Sequence, residues 1–71
     1  MEASPILLQK KYARVINAFA KLVGISSREA LDFFYQSLTY QEMSEGISDM
    51  HCRSDQYLAQ ELQEEYTKKK G

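Results

Sequence analysis

The sequence is poor in the residues that small secreted domains and membrane proteins depend on. Its 71 residues include one cysteine, one proline, three glycines and no tryptophan. A single cysteine cannot form the intramolecular disulfides that small extracellular domains usually need. No window approaches the roughly 20 apolar residues of a membrane span, and the first residues lack the charge order of a signal peptide. These absences predict a cytoplasmic domain without a membrane segment.

The overall composition is that of an ordinary globular domain, with 44% hydrophobic and 27% charged residues. A chain of this length buries only about 60% of its unfolded surface and has room for one small core. Large enzyme scaffolds are therefore excluded. We expect a single domain over residues 1–71, with residues 1–4 and 68–71 frayed.

The formal net charge of −1 conceals a strong segregation of charge along the chain. Residues 1–28 carry a net charge of +4, residues 29–67 a net charge of −8, and residues 68–70 a net charge of +3. Such segregation produces either a surface on which opposite charges neutralise each other or an electrostatic field that attracts a charged partner.

The first helix is predicted over about residues 5–23. Ser4 provides an N-cap, Pro5 suits the first helical position, and Gly24 suits the position after the last. Apolar residues recur at the 3–4 spacing of one buried helical stripe. They are Leu8, Tyr12, Val15, Ile16, Phe19, Leu22 and Val23.

Three further helices follow from capping signals and periodicity. Ser26-x-x-Glu29 and Thr39-x-x-Glu42 are capping boxes that open a second helix and a short third helix, which ends near Gly46. Ser54 caps the last helix. The expected inner faces are Leu31, Phe34, Tyr35 and Leu38, then Tyr40 and Met43, and finally Leu58, Ala59, Leu62 and Tyr66. The fold class is all-α, a small bundle of three longer helices and one short helix.

The turn before the last helix contains His51, Cys52 and Ser54. Adjacent residues point apart in extended backbone, so His51 and Cys52 are predicted to be structural, with Cys52 a small packing residue. The alternative is a thiol-dependent enzyme or redox sensor, because a cysteine before a helix N-terminus can have a lowered pKa. Two potential Cys or His ligands fall short of a structural zinc site, and we expect no catalytic residues, metal or cofactor.

Residues 20–33 imitate a helix-turn-helix, which leaves a DNA binder as another alternative. The exposed positions of its second helix would be Ser27, Arg28, Asp32 and Gln36, with Glu29 nearby. One arginine among acidic residues is the wrong electrostatic pattern for a nucleic acid.

Two sets of residues are candidate partner contacts. Lys10, Arg14 and Lys21 form a basic stripe opposite the apolar stripe, and are either solvated or dock onto an acidic partner. Phe33 and Tyr57 lie off the predicted inner faces. They either anchor an interface, with a partner or in a homo-oligomer, or show that a central helix is buried on two sides.

The runs ALDFFYQSLTY (30–40) and GISDMHCRSDQYLAQELQEEY (46–66) resemble a family of small helical bacterial proteins catalogued as a domain of unknown function. The matching signature is His51, Ser54 and Tyr57, and the likeness extends over nearly the whole chain. Members of that family are often encoded beside an ADP-ribosyltransferase-like protein, an arrangement similar to a toxin–antitoxin or effector–accessory pair. The resemblance implies that this chain is the non-catalytic partner of such a protein.

The predicted cap of the last helix can be tested by Ser54→Ala. Loss of the side-chain acceptor should lower the free energy of unfolding by about 1 kcal/mol. Thermal and urea denaturation would measure the change. An unaltered thermal midpoint would contradict the cap.

Overall fold

The computed structural model of the chain describes the backbone of residues 5–47 and 52–70 and the side chains of residues 9–47 and 52–69. These ranges contain four α-helices and no strand. The helices are α1 (Pro5–Val23), α2 (Ser27–Gln36), α3 (Leu38–Glu45) and α4 (Asp55–Lys70). The predicted all-α bundle is therefore confirmed. Residues 68–70 belong to α4, although we expected them to fray, and residues 1–4 lie outside the described ranges.

The first helix has the bounds that its end signals predict. It begins at Pro5 and ends at Val23, after which Gly24 adopts a positive φ of 75°. The backbone N–H groups of Gly24 and Ile25 both donate to the carbonyl of Ala20, at 2.8 and 3.0 Å. This closing turn satisfies a carbonyl that a helix end would leave without a partner.

The boundary between α2 and α3 lies at Ser37, earlier than the sequence predicts. Ser37 has an extended backbone (φ −83°, ψ 155°) that interrupts the helix. Its backbone N–H donates to the carbonyl of Phe34, and its Oγ accepts from the N–H of Tyr40 at 3.0 Å. One residue therefore ends α2 and caps α3. The predicted Thr39-x-x-Glu42 box is wrong, because Thr39 is already inside α3 and is buried.

The Glu65 carboxylate of α4 binds the first turn of α3. Its Oε1 accepts from the N–H of Leu38 at 2.8 Å, and its Oε2 accepts from the N–H of Thr39 at 3.0 Å. The buried hydroxyl of Thr39 also donates to Oε2. A negative charge is favoured at a helix N-terminus, where the free N–H groups and the helix dipole both attract it.

The other end of α3 and the start of α4 agree with their sequence signals. Gly46 follows α3 with a positive φ of 69°, and its N–H donates back into the last turn. The Oγ of Ser54 accepts from the N–H of Tyr57 at 3.1 Å, which is the expected cap bond of α4.

The core is built mainly from α1 and α4, with α2 and α3 packed across them. Its fully buried side chains of largest volume are Phe19, Phe34, Met43, Leu58, Leu62, Val15 and Thr39. The predicted inner face of α4 is confirmed for Leu58, Ala59 and Leu62, while Tyr66 is partly buried against the core. In α1, Leu22 departs from the prediction and is 44% exposed.

The inner face of α2 is rotated from the predicted one. Ala30 and Phe34 are buried, whereas Leu31 and Tyr35 are 40% and 49% exposed. Leu38, which the sequence placed on the same inner face, is 59% exposed in the first turn of α3. The rotation occurs because Phe33 packs inward towards α1 and α4, its ring centroid 5.6 Å from that of Phe19 and 5.2 Å from that of Tyr66.

The contact between α4 and α3 can be tested by Glu65→Ala. Removing the carboxylate leaves the Thr39 hydroxyl and two backbone N–H groups without their acceptor, so the free energy of unfolding should fall by about 1–3 kcal/mol. Urea denaturation would measure it. The matched control is Glu64→Ala, which removes an exposed carboxylate from the same turn of α4. Equal losses in the two variants would contradict the capping role of Glu65.

Candidate protein-interaction site

Of the turn before α4, the structure describes Cys52, Arg53 and Ser54. Cys52 is exposed, so its predicted role as a packing residue is wrong. His51 lies outside the described ranges. Within those ranges no group of three or more His, Cys, Asp or Glu side chains could hold a metal ion, and none of the described helices is long and apolar enough to cross a membrane.

The basic side chains of α1 divide between two environments. Lys11 and Arg14 both reach the Asp55 carboxylate at the start of α4, at 2.6 and 3.0 Å. The Nζ of Lys11 also donates to the carbonyl of Arg53 at 2.6 Å. Lys10 and Lys21 are exposed, and no described residue bonds their ammonium groups. Arg14 is therefore partly committed within the chain, whereas Lys10 and Lys21 face solvent.

The ion pairs change the acidity of Asp55. The hydrogen bond from Lys11, with the smaller effects of Arg14 and of both positive charges, holds the pKa of Asp55 below its ordinary value of 3.8. Partial burial opposes this shift but does not cancel it. Asp55 also lies in the first turn of α4, where the helix dipole favours a negative charge. These contacts fasten the start of α4 to α1.

The two predicted aromatic anchors differ in exposure. Tyr57 is 42% exposed, and the guanidinium carbon of Arg53 lies 5.5 Å from its ring centroid. Phe33 is half-buried and packs against Phe19 and Tyr66, as the hypothesis of a helix buried on two sides expects. The predicted contact residues therefore do not form one surface, because Phe33 lies between α2 and α4 and Tyr57 lies beside the Lys11–Asp55 pair.

The structure shows an apolar surface that the sequence interpretation placed in the core. We call it the α2 apolar face and define it by Leu31 and Tyr35, which lie four residues apart on α2. A groove of about 510 Å³ runs beside it between α1 and α2. The groove is lined by Ala13, Ile16, Asn17, Ser27, Arg28, Leu31 and Asp32. Three of the seven lining residues are apolar, namely Ala13, Leu31 and the buried Ile16, and the other four are polar or charged.

Aromatic packing holds the α2 apolar face in place. The ring of Tyr35 contacts Tyr12, Phe34 and Tyr40, with ring centroids 4.8–6.5 Å apart. Burial raises the pKa of the Tyr12 phenol above its ordinary value of 10.0, and the neighbouring Tyr40 and Tyr35 add to the effect. Tyr35 is consequently an ordered side chain with half of its surface in solvent, which suits an interface residue.

The groove lining carries one charge of each sign, and two lysines of α1 outside the lining add positive charge. Arg28 lines it, and Lys10 and Lys21 lie one helical turn beyond Ala13 and Asn17 on the same side of α1. Asp32 is the acidic residue of the lining. The lysines make the α1 side of the groove basic, which favours a ligand surface that carries negative charge.

A sequence signal for this surface exists in α2. Five of its ten residues are apolar, at positions 30, 31, 33, 34 and 35. At about 100° per residue these positions cover more than half of the helix circumference, which is more than one side of a small bundle can bury. The pattern indicates excess apolar surface, but it does not say which edge of the arc is left in solvent.

Comparison with known proteins identified no similar one. No family model matches the sequence, and neither the curated proteins nor the solved structures include a match.

The ion pairs of Asp55 predict a dependence of stability on pH. Because the pKa of Asp55 is lowered in the folded state, its stabilising contribution is present above about pH 4 and is lost as the pH falls through the folded-state value. Asp55→Asn should lower the free energy of unfolding by up to about 1 kcal/mol at neutral pH, with a smaller difference from the parent chain in acid.

Urea denaturation from neutral pH down to about pH 2 would measure this dependence. Asp32→Asn is the matched control, since Asp32 is an exposed carboxylate on α2. If both variants changed the pH profile equally, the ion pairs would not be its source.

Proposed function

We propose that this chain is a non-catalytic helical module that binds another protein, and that it binds an acidic amphipathic helix of that partner. The observation that carries the proposal is the α2 apolar face beside the α1–α2 groove. Leu31 and Tyr35 expose 40% and 49% of their surface on one side of α2, and Leu31 also lines the groove. Clustered apolar side chains in solvent are typical of an interaction site.

The shape of the groove supports a helical occupant. Two helices form its walls, and a third helix can lie between them with one apolar stripe on the exposed residues Ala13 and Leu31. Binding of this kind uses anchor residues one and two turns apart on the partner helix. Tyr35 would extend the contact beyond the groove, since its exposed ring adds a large amphipathic surface.

The charge around the groove supports an acidic occupant. Lys10, Lys21 and Arg28 lie along the path that the flanks of a docked helix would follow. Complementary charge at the rim of an interface accelerates association and selects against partners of the wrong sign. Lys10 and Lys21 of the basic stripe therefore remain proposed contacts with an acidic partner, whereas Arg14 pairs with Asp55 within the chain.

The resemblance described above suggests the identity of the partner. We propose that it is an ADP-ribosyltransferase-like protein and that this chain acts as its accessory or antitoxin-like subunit. Phe33 is not needed as an exposed anchor in this arrangement, and Tyr57 would be a peripheral contact.

A designed peptide tests the proposed binding mode directly. The probe is a fluorescent amphipathic helix of about four turns with leucines on one face and glutamates on both flanks. Its control has the same leucines and lysines in place of the glutamates. We expect the acidic peptide to bind and the basic peptide to bind at least about tenfold more weakly. Equal affinities for the two peptides would contradict the charge complementarity.

A pair of variants locates the binding site. Leu31→Asn should weaken binding of the acidic peptide about tenfold, because it removes an apolar side chain from the groove. Leu22→Asn is the matched control, since Leu22 is 44% exposed but does not line the groove. Equal losses would exclude the groove.

Sedimentation of the chain alone would show whether a second copy occupies the groove instead. A stable dimer that is lost in Leu31→Asn would indicate that the occupant is a second copy of this chain and not the proposed partner.

A further inference from the structure

A second cavity lies between α2 and the end of α4, and it adjoins the α1–α2 groove at Asp32, which lines both. It has a volume of about 310 Å³ and is lined by Glu29, Asp32, Phe33, Gln36, Tyr66 and Lys69. Two aromatic rings and two carboxylates therefore share one small cavity with a single ammonium group.

The aromatic rings form a corner. The rings of Phe33 and Tyr66 are nearly perpendicular, at 84°, with centroids 5.2 Å apart. Both rings also pack near Phe19 of the core, which fixes their orientation. Perpendicular aromatic rings present a π-face and an edge to the same space, and π-faces attract cations.

The carboxylates add negative charge to the same cavity. The phenol of Tyr66 donates to Oε2 of Glu29 at 3.2 Å, which holds this carboxylate beside the ring. Asp32 lies one turn further along α2 and lines the cavity as well. The combination of a π-face with carboxylates is complementary to a positive charge that also carries apolar surface.

The chain itself supplies such a cation. The Nζ of Lys69 lies 5.8 Å from the centroid of the Phe33 ring, within the range of a cation–π contact. Lys69 is exposed and is the next-to-last residue of α4. A long side chain in the last turn of a helix can move away at little cost. The ammonium group of Lys69 therefore lies near the Phe33 ring in a contact that a ligand could replace.

We propose that the Phe33–Tyr66 cavity binds a compact organic cation, an alkylammonium or guanidinium group, in competition with the ammonium of Lys69. The rings contact the apolar part of the cation, and Glu29 and Asp32 neutralise its charge. This site shares Asp32 with the α1–α2 groove but takes its aromatic rings from Phe33 and Tyr66, and it does not depend on the function proposed above.

The proposal is tested by titrating the full chain with tetramethylammonium chloride and, separately, with N-methylguanidinium chloride, at constant ionic strength. Aromatic NMR signals of Phe33 and Tyr66 report binding, and sodium chloride is the reference titrant. We expect saturable shifts of both rings at millimolar concentration. A tighter response to tetramethylammonium indicates an alkylated ammonium ligand, and a tighter response to N-methylguanidinium indicates an arginine-like one. Shifts no larger than those with sodium chloride would overturn the proposal.

Variants separate binding in the cavity from general attraction of cations. Lys69→Met removes the competing charge and keeps the chain length, so binding should become about two- to fivefold tighter. The double variant Glu29→Gln and Asp32→Asn should bind about fivefold more weakly. Its control is Glu45→Gln with Glu64→Gln, which removes the same charge from exposed positions elsewhere.

Two results would contradict the site even if the probes bind. One is an equal loss of affinity in the two double variants, which would indicate attraction to net charge alone. The other is an unchanged affinity in Lys69→Met. Leu31→Asn should leave cation binding unaltered, so the test is independent of the groove between α1 and α2.

Discussion

The Glu65 carboxylate on the first turn of α3 is the contact on which the arrangement of the second half of the chain depends. It accepts three hydrogen bonds from Leu38 and Thr39, and it joins residues 26 and 27 positions apart. Because α3 has eight residues, its packing contacts alone are few. A charged acceptor at its N-terminus stabilises the helix and fixes where it begins. With that start fixed by Ser37, Met43 enters the core and Leu38 remains in solvent.

The second constraint is that α2 carries more apolar surface than the bundle covers. Ala30 and Phe34 lie at the centre of its buried face. The two edges of the apolar arc have different surroundings. On the α4 edge, Phe33 packs against Tyr66 and leaves an aromatic cavity with carboxylates. On the α1 edge, Leu31 remains exposed and borders a groove with basic surroundings. Because the apolar arc of α2 is wider than the surface that the bundle covers, its two edges border two chemically different cavities.

Some charges of the basic first helix form ion pairs with the acidic half of the chain, and others remain exposed to solvent. Lys11 and Arg14 of the basic first helix both pair with Asp55 of the acidic half, which fastens the start of α4 to α1. The surface is therefore self-complementary at this point. Lys10 and Lys21 have no such partner among the described residues and keep their charge towards solvent beside the groove. The paired residues of α1 thus stabilise the fold, and its exposed lysines are the ones proposed to recognise an acidic partner.

The sequence by itself determined the class of fold, the number of helices, the bounds of α1, and the caps at Ser54 and at Ser26, whose Oγ accepts from the N–H of Glu29 at 3.1 Å. These features depend on residues close together in the chain: an N-cap serine, a glycine after a helix, or apolar residues at 3–4 spacing. Tertiary structure decided the start of α3 at Ser37, the orientation of α2, and the exposure of Leu31, Tyr35 and Leu38. Two potential caps, Ser37 and Thr39, are equivalent locally, and only Glu65, 26 residues away, engages the hydroxyl of Thr39 from another helix. Likewise, periodicity defines an apolar arc, but the packing of Phe33 on Phe19 and Tyr66 decides which edge is buried, because that choice depends on side chains of other helices.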